Sequence, residues 1–334
     1  MSHPPRPKLC DLALPVCLLA CIAASQPGCG GADVSSGGIG GSGLVAGPIE
    51  ELGSIVVQQI HFEIDDATVV VNGDTAGPAE LELGMYVSVY GTFHEDQSTG
   101  TATRVEFEES VSGPIGFVSA DRKVLVVLDQ SVLLAESTRL SGITLDGLRA
   151  GAIVTVSGSR DADGAIVATF IARRAATRGC RVLGDVTELS ADRLTFRLGD
   201  LDVDASQATI VGGLLTDGDS VGVLADTCND SAPLLAREVR RLEATRPPPP
   251  GPLRSVQGIV LNVLPGDAFR MHVPGFGPLR VEPAPHTIFE GGSASDIARN
   301  DRLRVIGRVD DAGVLRADRV VFLTETSLLP EAQR

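Results

Sequence analysis

The chain has 334 residues, 43% of them hydrophobic and 21% charged, a globular make-up with enough apolar material for real cores. Lys and Arg number 28 against 43 Asp and Glu, a formal net charge of −15; a polyanion is repelled overall, and the expectation is no nucleic-acid partner, because binding one needs a basic stripe that displaces counterions. There is no Trp, and only Tyr86 and Tyr90 among the tyrosines, so the cores fall to Val, Leu and Ile, which suit pleated, half-buried surfaces.

Residues 1–28 read as a targeting leader. Arg6 and Lys8 precede an apolar run from Leu12 to Ala24, too short to span a bilayer but the length of a signal-peptide core. Residues 29–46 begin CGGADVSSGG and read as a flexible Gly/Ser tether. A cysteine between an export signal and such a spacer suggests lipid acylation. The two candidates are Cys29, which stands directly before the spacer, and Cys21, which ends the lipobox-like LLAC. The expected location is therefore outside the cytoplasm, in the periplasm or at the outer membrane or cell surface, held by an N-terminal lipid anchor. Of the six cysteines only Cys180 and Cys228 lie in the body of the chain, and in an exported protein such a pair is most simply a disulfide.

Four repeats follow. Val87, Val89 and Gly91 match Val154, Val156 and Gly158, then Val221, Val223 and Ala225, then Leu303, Val305 and Gly307, at intervals of 67, 67 and 82 residues. Gly84, Gly151, Gly218 and Asn300 stand before these strands, where a left-handed backbone is tolerated. Beyond each closing small residue comes Ala-x-x-aliphatic: Ala102 and Val105, Ala168 and Ile171, Ala236 and Val239, Ala317 and Val320. The repeats open as strand, turn, strand: GPIEELGSIVV, SGPIGFVSADRKVLVVL, LGDVTELSADRLTFRL and QGIVLNVLPGDAFRMHV. Thr138, Thr209 and Thr287 each head a segment before the valine strand, and DADG (from Asp161) and DDAG (from Asp310) fill one hairpin position.

Period-two alternation with a turn every 8–12 residues predicts antiparallel β structure, and five strands in so few residues are best used by closing the sheet, which removes exposed edges. The fold class expected is all-β: four small OB-like or SH3-like antiparallel barrels at 47–110, 111–176, 177–244 and 254–324, with a tail at 325–334. The closing glycines should permit a bulge, and one short turn of helix is expected around Asp296. RPPPPGP, within a linker at 245–253, reads as a semi-rigid spacer that sets the fourth barrel apart.

This pattern resembles the bacterial exported repeat family catalogued as domain of unknown function 5666. The residues that carry the likeness are Gly47-Pro48-Ile49, Gly53 to Val57, Leu81 to Gly91 and Gly164 to Ile171; it is weaker through the third and fourth repeats, where Ala225 and Asn300 replace glycines. The resemblance implies small barrels in an exported, lipid-anchored protein and implies no catalytic residue; no cofactor is expected, and no metal, since no ligands stand at metal-site spacing.

Other signals are thin. Residues Gly38 to Gly43 match GxGxxG, but no strand and helix are expected on either side. Asp161, Asp163, Asp217, Asp219, Asp310 and Asp311 could offer oxygens to calcium, although Asp also simply favours turns. Tyr86 and Tyr90 could form a small stacking platform for a sugar or base. His61 and His94 read as scattered surface or core residues, while His272, Glu282 and His286 cluster in sequence and are the candidate site for a hydrolase reading. The reading preferred from sequence is a non-enzymatic interaction or structural module with an unknown protein or glycan partner; a ligand-binding barrel for an oligosaccharide or peptide is the alternative.

Overall fold

The computed structural model describes residues 41–93, 98–175, 179–228, 233–242 and 253–324. The leader, Cys21, Cys29, most of the tether, His94, all of the 245–253 linker except Leu253, and the tail lie outside them. The described chain is 60% strand with no α-helix; Ala294–Asp296 forms the one 3-10 turn expected near Asp296.

The first barrel is built from β1 (Gly41–Glu51), β2 (Ile55–Val57), β3 (Ile60–Glu63), β4 (Thr68–Val71), β5 (Asp74–Ala76), β6 (Tyr86–Phe93) and β7 (Thr99–Phe107). β1 pairs with β2 and β2 with β3, both antiparallel; β3 lies parallel to β7, and β7 returns through β6 to β1. That closed circuit is the Greek-key connectivity of an OB-like barrel; its third strand is broken into β3 and β4, both parallel to β7, and β5 pairs back on β4.

The second barrel repeats the circuit with β8 (Val111–Val118), β9 (Val124–Val127), β10 (Gln130–Ser141), β11 (Ile153–Arg160) and β12 (Ile166–Arg173). In the third, β13 (Cys180–Thr187), β14 (Thr195–Leu198), β15 (Leu201–Asp204), β16 (Thr209–Val211), β17 (Ser220–Ala225), β18 (Leu234–Leu235) and β19 (Glu238–Arg241) make the same path with its third and fifth strands each broken in two. The fourth uses β20 (Leu253–Val263), β21 (Phe269–Val273), β22 (Gly277–Glu290), β23 (Arg302–Val309) and β24 (Leu315–Phe322).

Alternation makes the strands and glycine bends them. In β23 every second residue, Leu303 to Val309, is buried. Gly84, Gly151, Gly218 and Asn300 all take positive φ, between 70° and 86°, so Asn does replace Gly at this turn. The pairing slips at Tyr90/Gly91, Ser157/Gly158 and Ile306/Gly307. A Cβ at Gly158 would lie 2.1 Å from the Val167 carbonyl oxygen, so only glycine allows the crowded bulge that lets these sheets curl.

The turns carry their own side-chain locks. Asp161 Oδ1 accepts from the amides of Asp163 and Ala165, and Asp310 Oδ1 from those of Ala312 and Val314. Thr138 takes the Ala135 amide and donates to Ala168 O, as Thr287 does for Ala284 and Ala317. Thr209 departs from the sequence pattern: by register it occupies the place of Arg139 and Ile288, and Ala208 holds the place of Thr138.

Two expectations are corrected at the seams. β1 starts at Gly41, so the last residues assigned to the tether are strand. They pair parallel with β20, Gly43 opposite Leu253 through Ala46 opposite Val256. The fourth barrel therefore does not stand apart, because main-chain bonding to the first outweighs whatever separation the linker composition suggests. The second and third barrels join through β8 and β13 and share one continuous apolar core. Phe170 of the second barrel lies in the core of the first, and Ala46 and Tyr86 of the first lie in the core of the fourth. The described residues all fall in one compact unit.

Candidate functional site: a cleft where three barrels meet

An open cleft with a cavity volume of about 80 Å³ lies between the first, second and fourth barrels. The first barrel contributes Pro48 to Glu50 of β1 with Gly84 and Tyr86; the second contributes Ser137 and Arg139 from the bulge of β10; the fourth contributes Ile259 and Arg302. Its walls are largely aliphatic, which suits a small-molecule site with a few placed polar groups.

Tyr86 ties the cleft together. Its amide donates to Ser157 Oγ of the second barrel at 3.1 Å, and its hydroxyl donates to the Gln257 carbonyl of the fourth at 2.5 Å. Glu50 is fixed by the amides of Gln58 and Gln59 at 3.1 and 3.0 Å, while burial pushes its carboxyl above the usual range. Beside it, Gln58 bonds Ala46 O and Ser255 O and accepts from the Ser255 hydroxyl, sealing the first barrel to the fourth.

A second, smaller junction with a cavity volume of about 40 Å³ lies among barrels two, three and four and carries Glu108, Arg160, Asp185 and His272. His272 Nδ1 accepts from the Arg160 amide at 3.0 Å; burial, with the Arg160 charge beside it, holds the imidazole at about 3. The Arg160 guanidinium donates to Gln130 Oε1, Leu183 O and Gly164 O.

The hydrolase candidates are placed in three different settings. His272 is buried in that junction, Glu282 is held by Arg280 and Arg316, and His286 is exposed with Asp318 at 3.8 Å. His61 is exposed. Tyr86 is 4% exposed, which closes the proposed stacking platform; Tyr90, half-buried, donates to Glu106. Of the acidic turns, Asp161 and Asp310 spend an oxygen on turn amides, Asp217 accepts from the Leu189 amide, and Asp219 pairs with Arg241. Among the described residues no group of three or more His, Cys, Asp or Glu is placed to hold a metal. Cys180 and Cys228 are joined as a disulfide with Cα atoms 5.6 Å apart. The part of GxGxxG that is described, Gly41 to Gly43, is strand, not a phosphate-cradling turn before a helix. Arg237, Arg240 and Arg241 pair with Asp226, Glu238 and Asp219.

The family model described as Domain of unknown function (DUF5666) matches residues 43–106, 112–172 and 279–321. The chain belongs to that family. The DUF5666 matches fall in barrels one, two and four; the third, with its broken strands and Ala225 in place of the closing glycine, keeps the circuit without a match. No curated protein matches the chain. Among solved structures, the one described as drosophila Unr CSD456 is similar at 14% identity, covering 65% of this chain and 97% of that one with a TM-score of 0.17; the barrel assignment rests on the strand pairing, not on that likeness.

Sequence reasoning on this DUF5666 chain missed the residues that make its cleft, although a signal was present. By register, Arg139 takes the place of Thr68, Thr209 and Ile288, and Arg302 that of Tyr86, Ile153 and Ser220. Phe170 stands where the other barrels have Arg104, Glu238 and Arg319. A residue that breaks a repeat is where one copy has acquired a neighbour.

Proposed function

We propose that the chain is an exported, lipid-anchored bacterial envelope protein that works as a non-enzymatic interaction or structural module. The observation that carries this reading is the welding of the barrels: strand pairing and shared cores turn four marginal units into one stiff body. A unit of this size buries only about 60% of its unfolded surface alone, so shared packing suits a protein whose task is to hold a shape. The disulfide in barrel three fits an oxidising compartment. The leader and the cysteines before the spacer supply the anchor, with Cys29 or Cys21 as the acylated residue. The titratable groups at the buried junctions support the non-enzymatic part, since His272 and Glu50 are engaged by backbone amides rather than by one another.

Mass spectrometry of the membrane fraction tests the reading. A diacylglyceryl group on Cys29 or Cys21 is the expected result; an unmodified chain recovered from the cytosol overturns both export and anchoring.

A further inference from the structure

We propose that the three-barrel cleft is a binding site for a small amphipathic anion, a molecule with an aliphatic body and one carboxylate head. Three observations converge. The cleft has apolar walls of Pro48, Ile49, Val167 and Ile259. Arg139 and Arg302 enter it from different barrels. Both interrupt the repeat pattern, at positions where the other three barrels carry only uncharged residues. Chance scatter of surface arginines has no reason to bring two such departures into one cavity of a chain with net charge −15.

The chemistry selects the ligand. A guanidinium carries five N–H donors in a planar fork, so it can keep a protein partner and still present a pair to a carboxylate. Glu50, the one acid on the wall, has both oxygens engaged by the Gln58 and Gln59 amides, so it offers a cationic ligand no ready acceptor. Tyr86, whose hydroxyl is committed to Gln257 O, adds apolar ring surface. The aliphatic walls would take the ligand's chain and the arginines its head, while a neutral alcohol would gain only the walls and a quaternary amine would meet both positive charges.

The test uses the full chain and three probes of equal tail length: octanoate, octanol and octyltrimethylammonium, each titrated by calorimetry. The expected result is saturable 1:1 octanoate binding, at least tenfold tighter than either other probe. R139Q and R302Q should each weaken octanoate at least tenfold. S137W, which fills the mouth from a half-buried bulge position, should abolish binding with the melting temperature unchanged, and it decides the matter should an arginine variant fail to fold. Failure of octanoate to saturate at millimolar concentration, equal affinity for the three probes, or binding indifferent to R139Q, R302Q and S137W each overturns the proposal.

Discussion

The hydroxyl of Tyr86, in the first barrel, donates to the backbone carbonyl of Gln257, in the fourth, across 171 residues of sequence. The side chain is buried at the seam, so this bond reports on whether two barrels behave as one body. Tyr86→Phe keeps the ring and strips the bond, leaving the carbonyl short of a donor; the expected cost is about 1–2 kcal/mol. Tyr90→Phe, whose hydroxyl meets Glu106 at 3.3 Å in a half-buried place, should stay within about 0.5 kcal/mol. Urea unfolding of the two variants measures the difference; equal midpoints would mean the seam contributes nothing.

Acid should loosen the junction of barrels two, three and four. His272 is held at about 3 in the folded chain against about 6.5 unfolded. Its folded value is depressed, so its contribution is full above pH 6.5, and between pH 6.5 and 3 the unfolded chain binds a proton the folded chain refuses. Stability therefore falls with acidification across that window, by up to about 1.4 kcal/mol per pH unit. His272→Asn retains an acceptor for the Arg160 amide and cannot titrate there. Its unfolding free energy should vary less between pH 7 and 5 than that of the unaltered chain, by roughly one proton in the linkage slope.

Two glycines of one hairpin should respond differently to alanine. At Gly158 the new methyl would meet the Val167 carbonyl at 2.1 Å, whereas at Gly164, with φ of +87°, it meets nothing within 4 Å. Gly164→Ala pays only for the left-handed backbone, about 1 kcal/mol. Gly158→Ala must also break the bulge and should cost about 3 kcal/mol or more. Thermal melts rank the pair, and the reverse order would show that the bulge is not what glycine is needed for.

The Cys180–Cys228 bridge closes a span of 48 residues. In the chain-entropy picture its loss costs up to about 4 kcal/mol. Because it joins the start of β13 to the segment just after β17, the cost should fall first on barrel three. The double variant C180A/C228A, subjected to limited proteolysis, should be cut within 179–242 before any other barrel; uniform cleavage would count against a local staple.

The inside of each barrel is written in local sequence. Alternating valines, the glycines at Gly91, Gly158 and Gly307, and Asx turns at Asp161 and Asp310 act over a few residues, and fourfold repetition made them legible. One local feature was misaligned: Thr209 pairs one place past the position of Thr138 and Thr287, an offset that only the strand register reveals. Which barrel touches which was settled on folding. The polyproline run pointed to a separate fourth barrel, yet β1 and β20 pair, because open strand edges lower their free energy by bonding to any edge that geometry brings near, and no local pattern encodes that meeting. Arg139, Phe170 and Arg302 were visible as letters that break the repeat, but their convergence on seams and cleft depends on distances across the folded body.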